Sequence, residues 1–135
     1  MITEITERLY LGDIDDAAHF NGLVICVLEY DADFGEDRIR KDAIRIPVLN
    51  PETAEFDVGA LESVYKLVQR KLKRSNAKIL IHCWAGQERS PMTMAWVLFR
   101  QNKFLSLKDA YESVKKQRKD VLDSWNWLPA WLFRV

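Results

Sequence analysis

The chain has 135 residues, enough for one domain with a proper core. Hydrophobic residues make up 48% and charged residues 30%, as in a soluble globular protein. Twenty acidic residues balance twenty basic ones, which argues against a general nucleic-acid or membrane-surface binder. No apolar run approaches the ~20 residues needed to span a bilayer. The polar, charged stretch from Met1 to Leu11 does not read as a secretory signal.

In chain order, Glu7 to Leu11 reads as a short strand ended by Gly12-Asp13, and Asp13 to Phe20 as a short helix. Leu23 to Leu28 is a continuous apolar run, the pattern of a buried parallel strand. The acidic segment Glu29 to Asp37 reads as a loop, and Ala43 to Val48 as another strand, closed by Pro47 and Pro51. Asp57 is placed to cap a helix running to about Lys73. Val58, Leu61, Tyr65, Val68 and Leu72 recur on one face of it. Lys66, Arg70, Lys71 and Lys73 crowd its last turns, where cations suit the helix dipole.

Ser75-Asn76 breaks that helix, and Lys78 to His82 is a further strand. A helix then begins at Pro91, which is tolerated in a first turn, and Met92 to Phe99 is apolar almost all round, as in a buried helix. Ser106 with Asp109 resembles a capping box, and Leu107, Ala110, Tyr111 and Val114 form the buried face that follows. Asp123 to Asn126 starts a last helix carrying Trp127, Leu128, Trp131 and Leu132, with Pro129 in its first turn. Trp125, Trp127 and Trp131 are read as packing residues. Strands alternating with helices predict an α/β fold: a mostly parallel central sheet flanked by helices on both faces. The segment between Ile81 and Pro91 then lies at the carboxyl edge of the sheet, where such folds bind ligands.

That segment carries the chemistry. His82-Cys83 ends an apolar strand, Arg89 follows Cys83 after five intervening residues, and Ser90 comes next. A phosphate monoester is dianionic, so its pocket needs many donors in little space. A tight loop closing onto a helix N-terminus points consecutive backbone N–H groups at one spot, here those of Trp84, Ala85, Gly86, Gln87, Glu88 and Arg89. Gly86 permits backbone angles that other residues resist. Cys83 at the mouth of that field suits a thiolate nucleophile. Arg89 can clamp two phosphate oxygens with its planar fork, which Lys cannot. Ser90 can donate to the thiolate when the phospho-enzyme hydrolyses, and His82 orients the loop. Two cysteines and two histidines, with only His82 and Cys83 adjacent, supply no zinc site. Two cysteines far apart in sequence suggest a reducing, cytoplasmic compartment. Cys26 reads as a small core residue.

The chain resembles the dual-specificity branch of the protein tyrosine phosphatase superfamily over nearly its whole length, as one catalytic domain across residues 1–135. His82 to Ser90 matches H-C-x-x-G-x-x-R-S. Ile5 to Gly12 is similar to the family's opening strand, Ile46-Pro47 to the strand before its general-acid loop, and Leu107 through Arg118 to its late helix. The resemblance implies a cysteine phosphatase acting on phosphotyrosine and phosphoserine or phosphothreonine. It needs neither metal nor organic cofactor, and phosphorylated proteins are its partners. No nucleic acid, no membrane and a monomeric state are expected. A phospho-residue-binding pseudophosphatase and an RNA 5′-phosphatase of the same fold are the alternatives, and balanced charge disfavours the second.

The family's general acid is an Asp upstream of the Cys, and here Asn50-Pro51-Glu52 stands in its place. Asn50 has no proton to transfer. Glu52 is the expected acid, with Asp57 the next candidate. Glu88 would repel a highly charged ligand if it faces the pocket, which favours a phosphoprotein over a polyphosphate lipid. Trp84 has two readings, stacking on a substrate ring or packing under the loop. A disulfide between Cys26 and Cys83, as in some relatives, is the alternative role for Cys26.

Overall fold

Thr3–Thr6 (β1) and Leu9–Gly12 (β2) pair antiparallel, with Thr3 opposite Leu11 and Glu4 opposite Tyr10. The opening segment is therefore a hairpin, not the single strand expected from Glu7 to Leu11. Its turn puts Arg8 in the left-handed region, at φ 74°. The Arg8 guanidinium offsets that strain by donating to the carbonyls of Leu72 and Ala77, both at 3.1 Å. It thereby ties the turn to the far end of a helix. The computed structural model describes residues 1–30 and 36–133.

Asp13 caps α1 (Ile14–His19) in a full capping box with Asp16. Strand β3 (Leu23–Cys26) follows, then a 3-10 turn at Glu36–Arg38 and the two-residue strand β4 (Ile44–Arg45). The centre of the expected acidic loop, residues 31–35, lies outside the described residues. Asp57 accepts from the Ala60 amide at 3.2 Å and opens α2 (Val58–Arg74). Strand β5 (Ile79–His82) leads to α3 (Arg89–Arg100), and Ser106 caps α4 (Leu107–Gln117) by accepting from Asp109 N–H.

The sheet order is β1-β2-β5-β3-β4, and every pairing except β1 with β2 is parallel. Alternation sets its two faces. Leu9, Leu11, Ile25, Ile79 and Ile81 join the core under α2, α3 and α4. Tyr10, Val24 and Leu80 face the other way, against Ala17 and Phe20 at α1. Residues Ser90 to Leu98 of α3 are all buried, as the all-round apolar pattern predicts. Burying each large apolar side chain there is worth about 1.5–3 kcal/mol. Across its outer side, Arg100 and the Trp96 indole both bind the Glu62 carboxylate of α2.

Two boundaries differ from expectation. Helix α3 starts at Arg89 instead of Pro91, so Arg89 and Ser90 belong to its first turn. The expected last helix is two 3-10 turns, Trp125–Trp127 and Ala130–Phe133, interrupted at Pro129, which has no N–H to continue a helix ladder. Trp125 and Trp127 pack against the core, whereas Trp131 is 53% exposed. Among the described residues no helix is long and apolar enough to cross a membrane.

Candidate active site

Strand β5 lies between β2 and β3, and His82 is level with Gly12 on one side and Cys26 on the other. The chain leaves the sheet there, at its carboxyl edge, and turns into α3. Cys83 is the first residue of that turn and is 2% exposed. The Ser90 hydroxyl lies 3.2 Å from Cys83 Sγ, placed to donate to a thiolate. The sulfur thus sits between the end of a central strand and the first turn of a buried helix, where N–H groups and the helix dipole favour negative charge.

The carbonyls of the turn are bonded to the surrounding scaffold. Cys83 O accepts from His82 Nδ1 at 2.9 Å, and Trp84 O from the Ile14 amide at 3.0 Å. Gly86 O accepts from Arg118 Nε at 2.9 Å, and Ala85 O is 3.5 Å from Arg118 Nη2. Gln87 O accepts from the Leu122 amide at 2.9 Å, and Glu88 O from the Ser124 hydroxyl at 3.2 Å. In a planar trans peptide the N–H points opposite to the C=O. Turning the carbonyls of residues 83–88 toward the scaffold turns the amides of residues 84–89 away from it. Such a nest of amides is an anion site. Gly86 makes the turn possible: its φ is 72°, and a Cβ there would lie 2.6 Å from Arg118 Nη2 and 2.7 Å from Gly12 O.

Arg89 is held by a residue that the sequence did not single out. Glu29, just beyond β3, accepts from Arg89 Nε at 2.6 Å and from Nη2 at 3.0 Å. Burial opposes the charge on Arg89. The hydrogen bonds and charge of Glu29, then the charges of Cys83 and Glu88, outweigh it and raise the pKa further above its already high value. Glu29 is itself placed by Arg45 of β4, whose guanidinium donates to the carbonyls of Leu28 and Glu29 and binds Glu36. The available signal was an acidic residue directly after a buried parallel strand, at the same edge of the sheet as His82-Cys83.

The other expected site residues are placed as follows. His82 is fully buried, and because a carbonyl only accepts, its Nδ1 carries the proton. Burial pushes its pKa down, against the opposing effect of the bond to Cys83 O. Cys26 is buried on β3, and burial pushes its thiol pKa up; both thiols are free. Trp84 is half-buried against the core, and the Arg38 guanidinium lies 4.7 Å over its ring, which agrees with the packing reading. Glu88 stands at the helix N-cap without a side-chain capping bond. Glu52 is exposed in a loop closed by the Asn50 amide on Glu55 O at 2.7 Å, and its own amide binds Asn50 Oδ1. Asp57 is engaged as the cap of α2.

The sequence matches the family "Dual specificity phosphatase, catalytic domain" over residues 17–132. It is similar to the 123R protein of Invertebrate iridescent virus 6, 28% identical over 123 residues that span 88% of this chain and 81% of that protein. It is 32% identical to tyrosine-protein phosphatase vhp-1 of Caenorhabditis elegans over 94% of this chain, but spans only 20% of that protein's length. In fold it resembles human DUSP28, with a TM-score of 0.69, 19% identity, and coverage of 93% of this chain and 88% of the other. The chain belongs to the dual specificity phosphatase family and carries that family's catalytic domain.

Proposed function

We propose that this chain is one catalytic domain that hydrolyses phosphotyrosine and phosphoserine or phosphothreonine in proteins through a phosphocysteine. The Cys83 thiolate attacks phosphorus while the P–O bond to the leaving group breaks. Arg89 and the amides of residues 84–89 hold the equatorial oxygens as charge shifts. Glu52 gives its proton to the leaving oxygen. Water then attacks the phosphocysteine, Glu52 takes the water's proton, Ser90 donates to the departing sulfur, and inorganic phosphate leaves. No step asks for a metal or organic cofactor. Thiolate chemistry suits a reducing compartment such as the cytoplasm.

The observation that carries this reading is a buried Cys83 at the end of β5, with Ser90 Oγ of the first turn of α3 3.2 Å from its sulfur and the following carbonyls bonded to the scaffold. Hydrolysis of p-nitrophenyl phosphate in the presence of a metal chelator tests it. Cys83→Ser should abolish turnover with an unchanged circular dichroism spectrum. Arg89→Lys should lose on the order of 10²-fold in kcat, comparable to deleting a key transition-state donor. Wild-type turnover in Cys83→Ser would refute the reading. A second reading, a phospho-residue-binding module, is favoured by Asn50 where the family carries its acid. Tight phosphopeptide binding without turnover would establish it instead.

A further inference from the structure

Arg118 is the C-cap residue of α4 and only 5% exposed. Its guanidinium reaches two distant parts of the chain. Nε donates to Gly86 O at 2.9 Å, and Nη2 lies 3.5 Å from Ala85 O. Nη1 donates to Met1 O at 2.6 Å and to Thr3 Oγ1 at 2.9 Å. Asp120 Oδ1, 3.4 Å from Nε, supplies the counter-charge. The fork is wedged behind the turn so closely that a Cβ on Gly86 would meet it at 2.6 Å.

We propose that Arg118 is a positioning residue that locks the peptide planes of Ala85-Gly86 and Gly86-Gln87, and so keeps two amides of the phosphate loop aimed at the phosphoryl oxygens. This rests on the phosphatase reading of the loop. Gly86 is the one residue of the turn in the left-handed region, where glycine tolerates a wide range of angles. A flip of either neighbouring plane replaces an inward N–H with a carbonyl oxygen, a donor with a repulsive dipole. Holding both carbonyls with one buried cation blocks both flips. The same cation bonds β1, so the loop is referenced to the opening hairpin and not only to its own helix. Lys has one point charge and cannot reach Gly86 O, Ala85 O and Met1 O together.

The test compares Arg118→Gln and Arg118→Lys with wild type. The measurements are kcat for p-nitrophenyl phosphate, Ki for orthovanadate, melting temperature and near-UV circular dichroism. Misaligned donors weaken binding of the transition-state mimic, so kcat/KM should fall and the orthovanadate Ki should rise by the same factor, on the order of 10²-fold. Lys should not restore either. A merely structural role lowers kcat by shrinking the folded fraction and leaves Ki unchanged; that result in a folded variant overturns the proposal. Should Arg118→Gln not fold, Arg118→Lys, which keeps the stem and the buried charge, decides the question. A wild-type protein that binds orthovanadate without turnover sinks the phosphatase reading alone, and the variants' orthovanadate affinity by calorimetry then judges Arg118. A wild-type protein that binds no orthovanadate sinks both.

Discussion

Glu29 and Arg89 meet edge to edge, Oε1 at 2.6 Å from Nε and Oε2 at 3.0 Å from Nη2, although 60 residues separate them. Their side chains are 20% and 17% exposed, so the pair is largely out of water. Two parallel bonds fix the plane of a guanidinium, which one bond cannot do. The fork proposed to hold phosphate thus receives its orientation from the segment just after β3 before substrate arrives.

Glu29→Gln keeps the shape but places an amide N–H₂ against N–H donors. Hydrogen bonds to a charged group are worth about 1.5–3 kcal/mol, and urea unfolding of this part-buried pair should read a loss of that order. In the fraction that remains folded, kcat should fall on the order of tenfold through misplacement of the fork. Full stability and kcat in this variant would show that Arg89 orients itself.

Gly86→Ala should fail for two separable reasons. A φ of 72° costs an L-residue roughly 1–2 kcal/mol. The new Cβ also meets Arg118 Nη2 and Gly12 O, and the second is backbone that cannot step aside. The measurable result is a lowered melting temperature with orthovanadate binding lost. A stable Ala variant with wild-type kinetics would mean that the turn relaxes to another path.

Glu52→Gln and Asp57→Asn separate the two carboxyl groups proposed for proton donation. Glu52→Gln should slow a poor alkyl leaving group far more than an activated aryl phosphate, and flatten the basic limb of the kcat/KM profile. Asp57→Asn should instead leave both the leaving-group dependence and the stability nearly unchanged, because Asp57 caps α2 and Asn caps a helix about as well as Asp. The reverse pattern would move the proton to Asp57.

His82 makes stability depend on acid. Burial holds its pKa below the ordinary 6.5, with Arg45 acting in the same direction and Asp13 and Asp16 against it. As pH falls below 6.5 the unfolded chain takes up a proton that the folded chain does not yet bind. The stability contribution is therefore complete above that pH and is lost as pH falls toward the folded value. Urea midpoints measured between about pH 7.5 and 5.5 should fall with a linkage of at most one proton. His82→Asn should remove that component of the slope.

The strand, turn and helix around Cys83 were legible because their determinants are local: an apolar run, a Gly, a Pro in a first turn and an apolar helix. Caps at Asp57 and Ser106 were legible for the same reason. Glu29 was not, because its partner is 60 residues away, and its place just after a buried strand does not name that partner. The hairpin at Arg8 was hidden because a left-handed Arg carries no turn signature, and its compensation comes from carbonyls beyond α2. The end of the chain misled because Trp127, Leu128, Trp131 and Leu132 mimic a helical stripe, while Pro129 interrupts the ladder that such a stripe needs.

The carbonyls of Ala85 through Glu88 are held by Arg118, Leu122 and Ser124, all of which lie after α4. A ribosome that has released the chain as far as Gln117 has made the sulfur, the fork and the helix, but not the donors that hold most of the loop open. The loop therefore gains these partners only once residues 118–124 have been made, and on the proposed reading the thiol meets its activating field only then. On that reading, reactivity becomes a mark of folding: a chain lacking residues 118–124 carries the cysteine without the surroundings proposed to make it attack phosphate.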